Sequence, residues 1–304
     1  MSDTAFPPLI SPLTRSRLVE RVGEKLVATD GDESFFIRDG IAELLVSAEL
    51  VAHQRHTQEA FDTLPLAGLP YFRPAFFIDA ARSLLLHAET PPRTFAELGG
   101  GEGHLARHLH DLWPGLQSCV CDLSRSSLAR APHQLCRIWC DVTRPVFAPD
   151  TLDAAAFWVS LHHLCVQEQT QAMTEIARAL RPGGLLLVCE PNADFYLRKV
   201  VYSTCLAQDV YFDQEAAVDF SRLVEAATSI GLELVRWRFR NPPYNPVFVR
   251  KLAKWPVYLA AVELLHGLDR LLLRPLTTRL AEPSASNLSR HLTLYGEAIF
   301  RKRP

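Results

Sequence analysis

Residues 95–106 have the sequence Phe-Ala-Glu-Leu-Gly-Gly-Gly-Glu-Gly-His-Leu-Ala, and this stretch decides the fold of the 304-residue chain. A short apolar run that contains Glu97 is followed by a glycine-rich turn and then by the start of a helical pattern, so we expect a strand, a tight loop and a helix. Glycine is needed where φ must be positive or where a ligand lies against the backbone. The pattern therefore predicts a small-molecule site at Gly99, Gly101 and Gly103.

The spacing of these glycines distinguishes the loop from a nicotinamide-type dinucleotide loop. That loop requires its third glycine one position later, where this chain has His104. A carboxylate at Glu97, at the tip of the strand, would repel a pyrophosphate and instead suits a ligand that carries an ammonium group. Taken alone, a glycine-rich loop is also compatible with a tight turn that binds no ligand.

Two further predicted strands, at residues 116–121 and 135–140, are each followed by an acid, Asp122 and Asp141. Asp122 follows the glycine loop by about the interval at which doubly wound folds present a carboxylate to a ribose diol. Strands predicted at residues 152–159 and 185–189 are followed in the same way by Ser160 and Glu190. Because ligands of open parallel sheets bind beyond the carboxyl ends of the strands, these side chains should converge on one edge. Each acid alone is equally compatible with a helix cap or a solvated loop.

This set of motifs resembles the class I S-adenosylmethionine-dependent methyltransferases of the small-molecule type. The glycine loop resembles their motif I, Leu161-His162-His163-Leu164 their post-motif II stretch, and residues 180–191 their motif III, so the resemblance covers residues 94–192. It implies S-adenosylmethionine as cofactor and S-adenosylhomocysteine as product, with Asp122 on the ribose and Asp141 with the Val142 amide on adenine. The cofactor-binding residues implied are Glu97, Gly99, Gly101, Gly103, Asp122, Leu123, Asp141, Val142 and Ser160.

The patterns and this resemblance together imply an α/β fold, a Rossmann-like, seven-stranded, mostly parallel sheet with helices on both faces and an antiparallel last strand. Residues 232–239 and 291–300 are the sixth and seventh predicted strands, and alternating Arg236, Arg238 and Arg240 predict a solvated edge face. Residues 66–304 are expected to form the cofactor-binding domain, with substrate-capping insertions at 191–217 and 241–290. Residues 1–65 are expected to be an N-terminal appendage, a hairpin plus a helix. It resembles the zinc-ribbon-like module found ahead of some methyltransferases, but is metal-free because no cysteine precedes Cys119.

His162 is the candidate general base, because imidazole titrates near physiological pH and the residue follows the fourth predicted strand. Its position is similar to that of the histidine in the His-Asp-Trp stretch of plant-type O-methyltransferases, although His163 and Leu164 replace the Asp-Trp pair here. Glu190 is expected to orient or charge-balance a histidine across the cleft, and His163 is the neighbouring candidate. The alternative is that both histidines only shape the turn into the following helix.

The composition narrows the range of partners and locations. The 32 basic and 34 acidic residues give a net charge of −2, which disfavours nucleic acid as a substrate. Neither a basic segment followed by an apolar one at the N-terminus nor a long uncharged apolar run is present, so no signal peptide or spanning helix is expected and the predicted location is the cytoplasm. The seven cysteines show no CxxC spacing and are expected to be reduced core residues, with no metal site.

The sequence therefore predicts a methyltransferase that acts at oxygen or carbon of a small, hydrophobic metabolite, of the kind found in secondary metabolism. Two alternatives remain at this stage: a fold relative that uses S-adenosylmethionine for cyclisation or decarboxylation, and a non-catalytic binding protein. Residues 191–217 and 241–290 are the expected substrate walls, and residues 255–274 form a predicted apolar helix. A homodimer formed through the same helix is the rival explanation for its apolar surface.

Overall fold

The computed structural model describes residues 6–21, 24–46, 50, 52–63, 74–195, 217–240 and 295–304. The predicted substrate walls therefore lie outside the described residues, except for residues 191–195 and 217, and so does the predicted helix at residues 255–274. None of the helices in the described ranges is long and apolar enough to cross a membrane.

The strands are β1 Leu18–Arg21, β2 Lys25–Ala28, β3 Ser34–Arg38, β4 Ile41–Glu43, β5 Thr94–Leu98, β6 Gln117–Asp122, β7 Cys136–Trp139, β8 Leu152–Trp158, β9 Leu180–Pro191, β10 Leu232–Arg240 and β11 Tyr295–Lys302. The helices are α1 Ala52–Thr63, α2 Pro74–His87, α3 His104–Leu112, α4 Arg125–Arg130, α5 Val166–Ala179 and α6 Phe220–Ser229, and a 3-10 turn spans Leu161–His163.

The central part of the sheet has the strand order β7-β6-β5-β8-β9-β11-β10. Strands β5 to β9 pair in parallel, whereas β11 is antiparallel to both of its neighbours. This confirms the predicted seven-stranded, mostly parallel α/β sheet with an antiparallel last strand. Because the chain moves outward from β5 in one direction through β6 and β7 and in the other through β8 and β9, the switch in strand order lies beside β5, where such folds bind their ligands.

Four N-terminal strands extend this sheet to eleven strands, four more than the seven of the prediction. β4 pairs in parallel with β7, and β1 to β4 form an antiparallel meander beyond it. The two-residue turn between β3 and β4 has positive φ at both Asp39 (54°) and Gly40 (70°), which is the type I′ geometry favoured by Asp-Gly. The side chain of the buried Arg137, on β7, donates a hydrogen bond to the Asp39 carbonyl oxygen and ties the turn to the sheet. The division of the chain at residue 65 stays a prediction.

Helices cover both faces of the sheet, as expected. On one face Phe77 and Leu84 of α2 and Leu105 of α3 belong to an apolar cluster with alternate strand residues such as Ala154 and Ala156. On the other face α5 and α6 pack against the opposite set. That cluster contains Ala155, Phe157, Met173, Ile176, Phe220 and Leu223. Successive residues of β8 point to opposite faces of the sheet, and both faces are covered by helices. Both sides of the strand are therefore buried, as is usual for a parallel sheet.

Candidate functional site

The three predicted glycines of the loop between β5 and α3 share a backbone conformation but differ in their surroundings. Gly99, Gly101 and Gly103 have φ of 62°, 54° and 71°, a backbone conformation that favours glycine. A Cβ atom at Gly99 would lie 2.6 Å from the Ser160 Cβ, and one at Gly103 would lie 2.8 Å from a methyl carbon of Leu135. A Cβ at Gly101 would meet nothing within 4 Å. Packing therefore excludes side chains at Gly99 and Gly103, while Gly101 faces open space.

Glu97 supports the loop from the buried side. Its carboxylate is 2% exposed and accepts hydrogen bonds from the backbone amides of Leu105 (3.3 Å) and Ala106 (2.7 Å), in the first turn of α3. Burial raises the pKa of Glu97 to about 8, against the opposing effect of these two amides. The structure thus gives Glu97 a role in holding the start of α3, in addition to the role of ammonium partner expected from the sequence.

Asp122 connects the end of β6 with the glycine loop. One carboxylate oxygen accepts from the Gly101 amide at 2.7 Å and the other accepts from the Ser124 amide at 2.7 Å. Burial raises the pKa of Asp122, and the two amides and a positive charge on His163 act in the opposite direction. Each carboxylate oxygen has a second lone pair, so Asp122 retains the capacity to accept from a diol. The next residue, Leu123, accepts from the Trp139 indole nitrogen through its carbonyl oxygen at 2.8 Å.

Asp141, after β7, is almost fully buried and has partners on both oxygens. Oδ1 accepts from the Thr143 amide (2.9 Å) and hydroxyl (2.7 Å), whereas Oδ2 accepts from the side-chain amide of Gln54 at 3.3 Å. The same Gln54 nitrogen lies 3.1 Å from the carboxylate of Glu168. Val142, the other predicted adenine contact, packs against the core on the α5 face.

Helix α1 lies along the strand ends that carry these acids. Gln54 contacts Asp141 after β7, the Phe61 ring lies 5.0 Å from the His163 ring after β8, and the Asp62 carboxylate accepts from the Ser124 hydroxyl (2.7 Å) after β6. From the sequence, only a helix within the appendage of residues 1–65 was expected here. Sequence reasoning missed Gln54, Phe61 and Asp62, because a polar residue on an amphipathic helix carries no local signal of its partner.

His162 and Glu190 form a buried pair between β8 and β9. The His162 Nδ1 atom lies 2.8 Å from Glu190 Oε2, and the other Glu190 oxygen accepts from the amides of Ser160 (2.9 Å) and Leu161 (2.7 Å). His162 is 5% exposed and Glu190 is 0% exposed. A carboxylate at Nδ1 favours the tautomer with its proton on that nitrogen, which leaves the Nε2 lone pair as an acceptor. The expectation that Glu190 orients a histidine thus has a geometric basis.

His163 lies between this pair and Asp122. Its ring centroid is 4.0 Å from that of His162, and its charge influences the pKa of Asp122. Ser160, at the start of the same turn, donates through its hydroxyl to the Leu98 carbonyl oxygen at 2.7 Å, so the turn after β8 is bonded to the end of β5. The structure brings the strand-end residues predicted from the sequence to one edge of the sheet.

Part of the chain is similar to known methyltransferases. Residues 96–188 match a family model described as a methyltransferase domain. The chain is 33% identical over 141 residues to a demethylmenaquinone methyltransferase of Mycobacterium marinum, which corresponds to 40% of this chain and 60% of that relative. Residues 96–188 thus form a methyltransferase domain of the class I S-adenosylmethionine-dependent type.

Solved structures are also similar to this chain. A Galdieria sulphuraria protein provisionally described as a sarcosine dimethylglycine methyltransferase is similar with a TM-score of 0.50 and 16% identity, over 75% of this chain and 84% of that chain. The [4+2]-cyclase SpnF is similar with a TM-score of 0.49 and 19% identity, over 76% of this chain and 80% of that chain.

Proposed function

We propose that this chain transfers a methyl group from S-adenosylmethionine to oxygen or carbon of a small, hydrophobic acceptor. The observation that carries the proposal is the convergence of the Gly101 backbone, Asp122 and Asp141 on one sheet edge within a methyltransferase domain. The loop leaves open space where the cofactor would lie against the backbone, and neighbouring acids have the chemistry that a ribose diol and an adenine amino group require.

The residues present fit the cofactor in detail. The open side of Gly101 would accommodate the methionine part, Asp122 would accept from the ribose hydroxyls, and Asp141 with the Val142 amide would bind adenine. When bound, S-adenosylmethionine would supply a methyl group activated by a sulfonium. Because methyl transfer from a sulfonium disperses positive charge, the task of the protein is mainly to align the acceptor and to exclude water.

The His162–Glu190 pair supports an acceptor that carries a proton to be removed, such as a ring hydroxyl. His162 would accept this proton at Nε2, and Glu190 would stabilise the resulting imidazolium through Nδ1. Loss of the proton activates the hydroxyl oxygen or, by conjugation, a ring carbon. The Mycobacterium marinum relative is named a demethylmenaquinone methyltransferase, and this name supports a small-molecule acceptor.

The proposed walls of the acceptor site are residues 191–217 and 241–290. β10 is antiparallel to β11, which is antiparallel to β9, so β10 runs parallel to β9 and leaves the sheet at the edge that carries Glu190. At about 25 cal/mol per Å², burial of an acceptor skeleton of about 200 Å² would contribute roughly 5 kcal/mol before ordering costs. A homodimer contact through residues 255–274 is the competing use of this segment.

Calorimetric titration with S-adenosylhomocysteine and with NAD tests the cofactor assignment. We expect binding of S-adenosylhomocysteine, and we expect Asp122→Ala to weaken it by on the order of 1 to 3 kcal/mol, or about 5- to 150-fold in Kd. Asp111→Ala removes an exposed acid from α3 and serves as the control with unchanged affinity. Binding of NAD without binding of S-adenosylhomocysteine would refute the assignment.

Turnover assays test the general base. We expect His162→Ala to lower turnover by roughly 10²- to 10⁴-fold while the affinity for S-adenosylhomocysteine stays nearly unchanged. Release of S-adenosylhomocysteine during turnover separates methyl transfer from cyclisation or decarboxylation, in which the cofactor is not consumed. Full activity of His162→Ala would assign catalysis to alignment alone.

A further inference from the structure

Val159, the residue between β8 and Ser160, has a backbone conformation that its side chain disfavours. Its φ is 55°, in the left-handed region. A β-branched residue is a genuine outlier there, because its Cβ substituents approach the backbone carbonyl groups. Such conformations persist only where surrounding contacts impose them, and they are concentrated at functional sites. The outlier lies three residues before the candidate base His162.

The contacts that impose the conformation come from β9. The Val159 amide donates to the Cys189 carbonyl oxygen at 2.8 Å. The next two amides, of Ser160 and Leu161, both donate to the same oxygen of Glu190, at 2.9 and 2.7 Å. The left-handed residue directs these successive amides toward a single buried carboxylate, as in the small anion-binding concavities formed by turns. Glu190 therefore binds the backbone of the turn and the imidazole of His162 at the same time.

If Glu190 released the two amides, Val159 would lower its free energy by leaving the left-handed region. The turn would then rotate the Ser160 and Leu161 amides away from β9 and move the following His162 with them. The other contacts of the turn do not replace this restraint, because the Ser160 hydroxyl bond to Leu98 leaves the two amides without an acceptor. Valine at this position makes the geometry of His162 depend on Glu190 twice, through the ring and through the backbone.

We propose that Val159 and Glu190 together are positioning residues for His162, with the carboxylate holding a backbone turn that the valine would otherwise leave. This inference deepens the proposed function and rests on His162 as the base. It separates two roles of Glu190, orientation of the imidazole ring and restraint of the turn. Glycine at residue 159 adopts the left-handed conformation without the steric penalty of a Cβ. Val159→Gly therefore removes the need for Glu190 to restrain the turn, but it leaves the need for Glu190 to orient the imidazole ring.

A double-mutant cycle with Val159→Gly and Glu190→Ala tests the proposal through turnover and thermal unfolding, because alanine removes the acceptor of the Ser160 and Leu161 amides. We expect Glu190→Ala to lower kcat by roughly 10²-fold or more, and Val159→Gly to restore roughly 5- to 50-fold of that loss. In the stability arm, Val159→Gly should raise Tm relative to Val159→Ala in the wild-type background, since both variants lose the packing of the valine methyl groups. This difference should be smaller in the Glu190→Ala background, because there the turn has already left the strained conformation.

Two controls isolate the backbone effect. Val159→Ala removes the methyl groups while retaining Cβ, so it should restore less activity than Val159→Gly. Arg15→Gly relieves the same kind of left-handed strain (φ 64°) in a remote loop and should restore none. The proposal would be overturned if the effects of the two substitutions were additive both in kcat and in Tm. Full activity of His162→Ala would contradict the assignment of His162 as the general base. The Tm values of the double-mutant cycle would still decide whether Glu190 restrains the turn.

Discussion

At the scale of single residues, the glycine loop contains one position where a side chain would meet open space. Gly101 has φ of 54° and open space where a Cβ would lie, and its amide donates to Asp122. Gly183 has the same two properties, with φ of 79° and nothing within 4 Å, but it lies within β9, near the strand end opposite to the site. Gly183 therefore serves as a reference for the effect of a Cβ at positive φ away from the site.

We predict that Gly101→Ala and Gly183→Ala destabilise the fold by similar amounts, about 1 to 2 kcal/mol, because both place a Cβ in the left-handed region. Only Gly101→Ala should weaken binding of S-adenosylhomocysteine, by roughly tenfold or more, since the new methyl group occupies the volume of the ligand. Thermal unfolding and calorimetric titration measure the two effects. Equal affinities of the two variants would place the ligand elsewhere.

Glu97 gives the molecule a pH dependence whose sign follows from its burial. Its folded-state pKa of about 8 lies above the ordinary value of 4.5, so the folded chain binds this proton more tightly than the unfolded chain. The stability contributed by the bound proton is complete below about pH 4.5 and is lost as the pH rises through about 8.

We predict that Glu97→Gln, which has no proton to lose, becomes progressively more stable relative to the wild type between pH 5 and about 9. Thermal unfolding at a series of pH values provides the measurement. Glu89→Gln, at an exposed acid, is the control for general charge effects. A difference between Glu97→Gln and the wild type that stays constant over this range would show that burial does not shift this carboxyl.

At the scale of elements, α1 joins the loops that follow three neighbouring strands. Gln54, Phe61 and Asp62 contact the chain after β7, β8 and β6, respectively. Asp62 also accepts from the Ser126 amide at 3.3 Å, in the first turn of α4. Because these loops hold Asp141, Asp122 and His163, we expect movement of α1 to change access to two proposed cofactor contacts, Asp141 and Asp122.

We predict that Asp62→Ala loosens α1 and accelerates dissociation of S-adenosylhomocysteine by roughly 3- to 10-fold, since each lost hydrogen bond contributes about 1 kcal/mol. Asp62→Asn keeps an acceptor oxygen for the Ser124 hydroxyl and should dissociate at nearly the wild-type rate. Stopped-flow displacement measures both rates. Identical rates for Asp62→Ala and the wild type would exclude α1 as a restraint on the ligand.

At the scale of the whole molecule, the N-terminal strands convert β7 from an edge strand into an interior one. β4 pairs with β7 over Ile41↔Arg137 to Glu43↔Trp139, directly before the residues that lead to Asp141. The pairing depends on the Asp39-Gly40 turn, where a Cβ at Gly40 would lie 2.7 Å from a guanidinium nitrogen of Arg137. An exposed edge at β7 would offer unpaired backbone groups to another chain.

We predict that Gly40→Ala lowers the free energy of unfolding by at least about 1 kcal/mol from the left-handed backbone alone, and by more because Arg137 must move. Gly31→Ala is the matched control in the same N-terminal segment, with nothing within 4 Å of its Cβ position. Denaturant unfolding measures both variants. Equal stabilities would show that the β3–β4 turn does not anchor the N-terminal strands.

Much of the fold was accessible from local sequence patterns. The apolar runs placed the seven central strands within a few residues. The helical spacing of apolar residues at 220–229 likewise coincides with α6, Phe220–Ser229. This helix is locally specified by its apolar period and by Asp219, whose side chain accepts from the amides of Ser221 and Arg222. The acids at the strand ends and the spacing of the glycines could also be recognised from short stretches of sequence, because each pattern involves only residues that are neighbours in the chain.

The sequence by itself thus determined the order of strands and helices and the chemistry gathered at one sheet edge. Tertiary structure alone decided the contacts between distant segments: Gln54 with Asp141, Glu190 with the turn at Val159, and β4 with β7. It also placed Arg238, expected on a solvated face, in an ion pair with the buried Glu297. These outcomes depend on packing between residues far apart in the chain, and at Val159 the packing overrides the local backbone preference that a sequence pattern expresses.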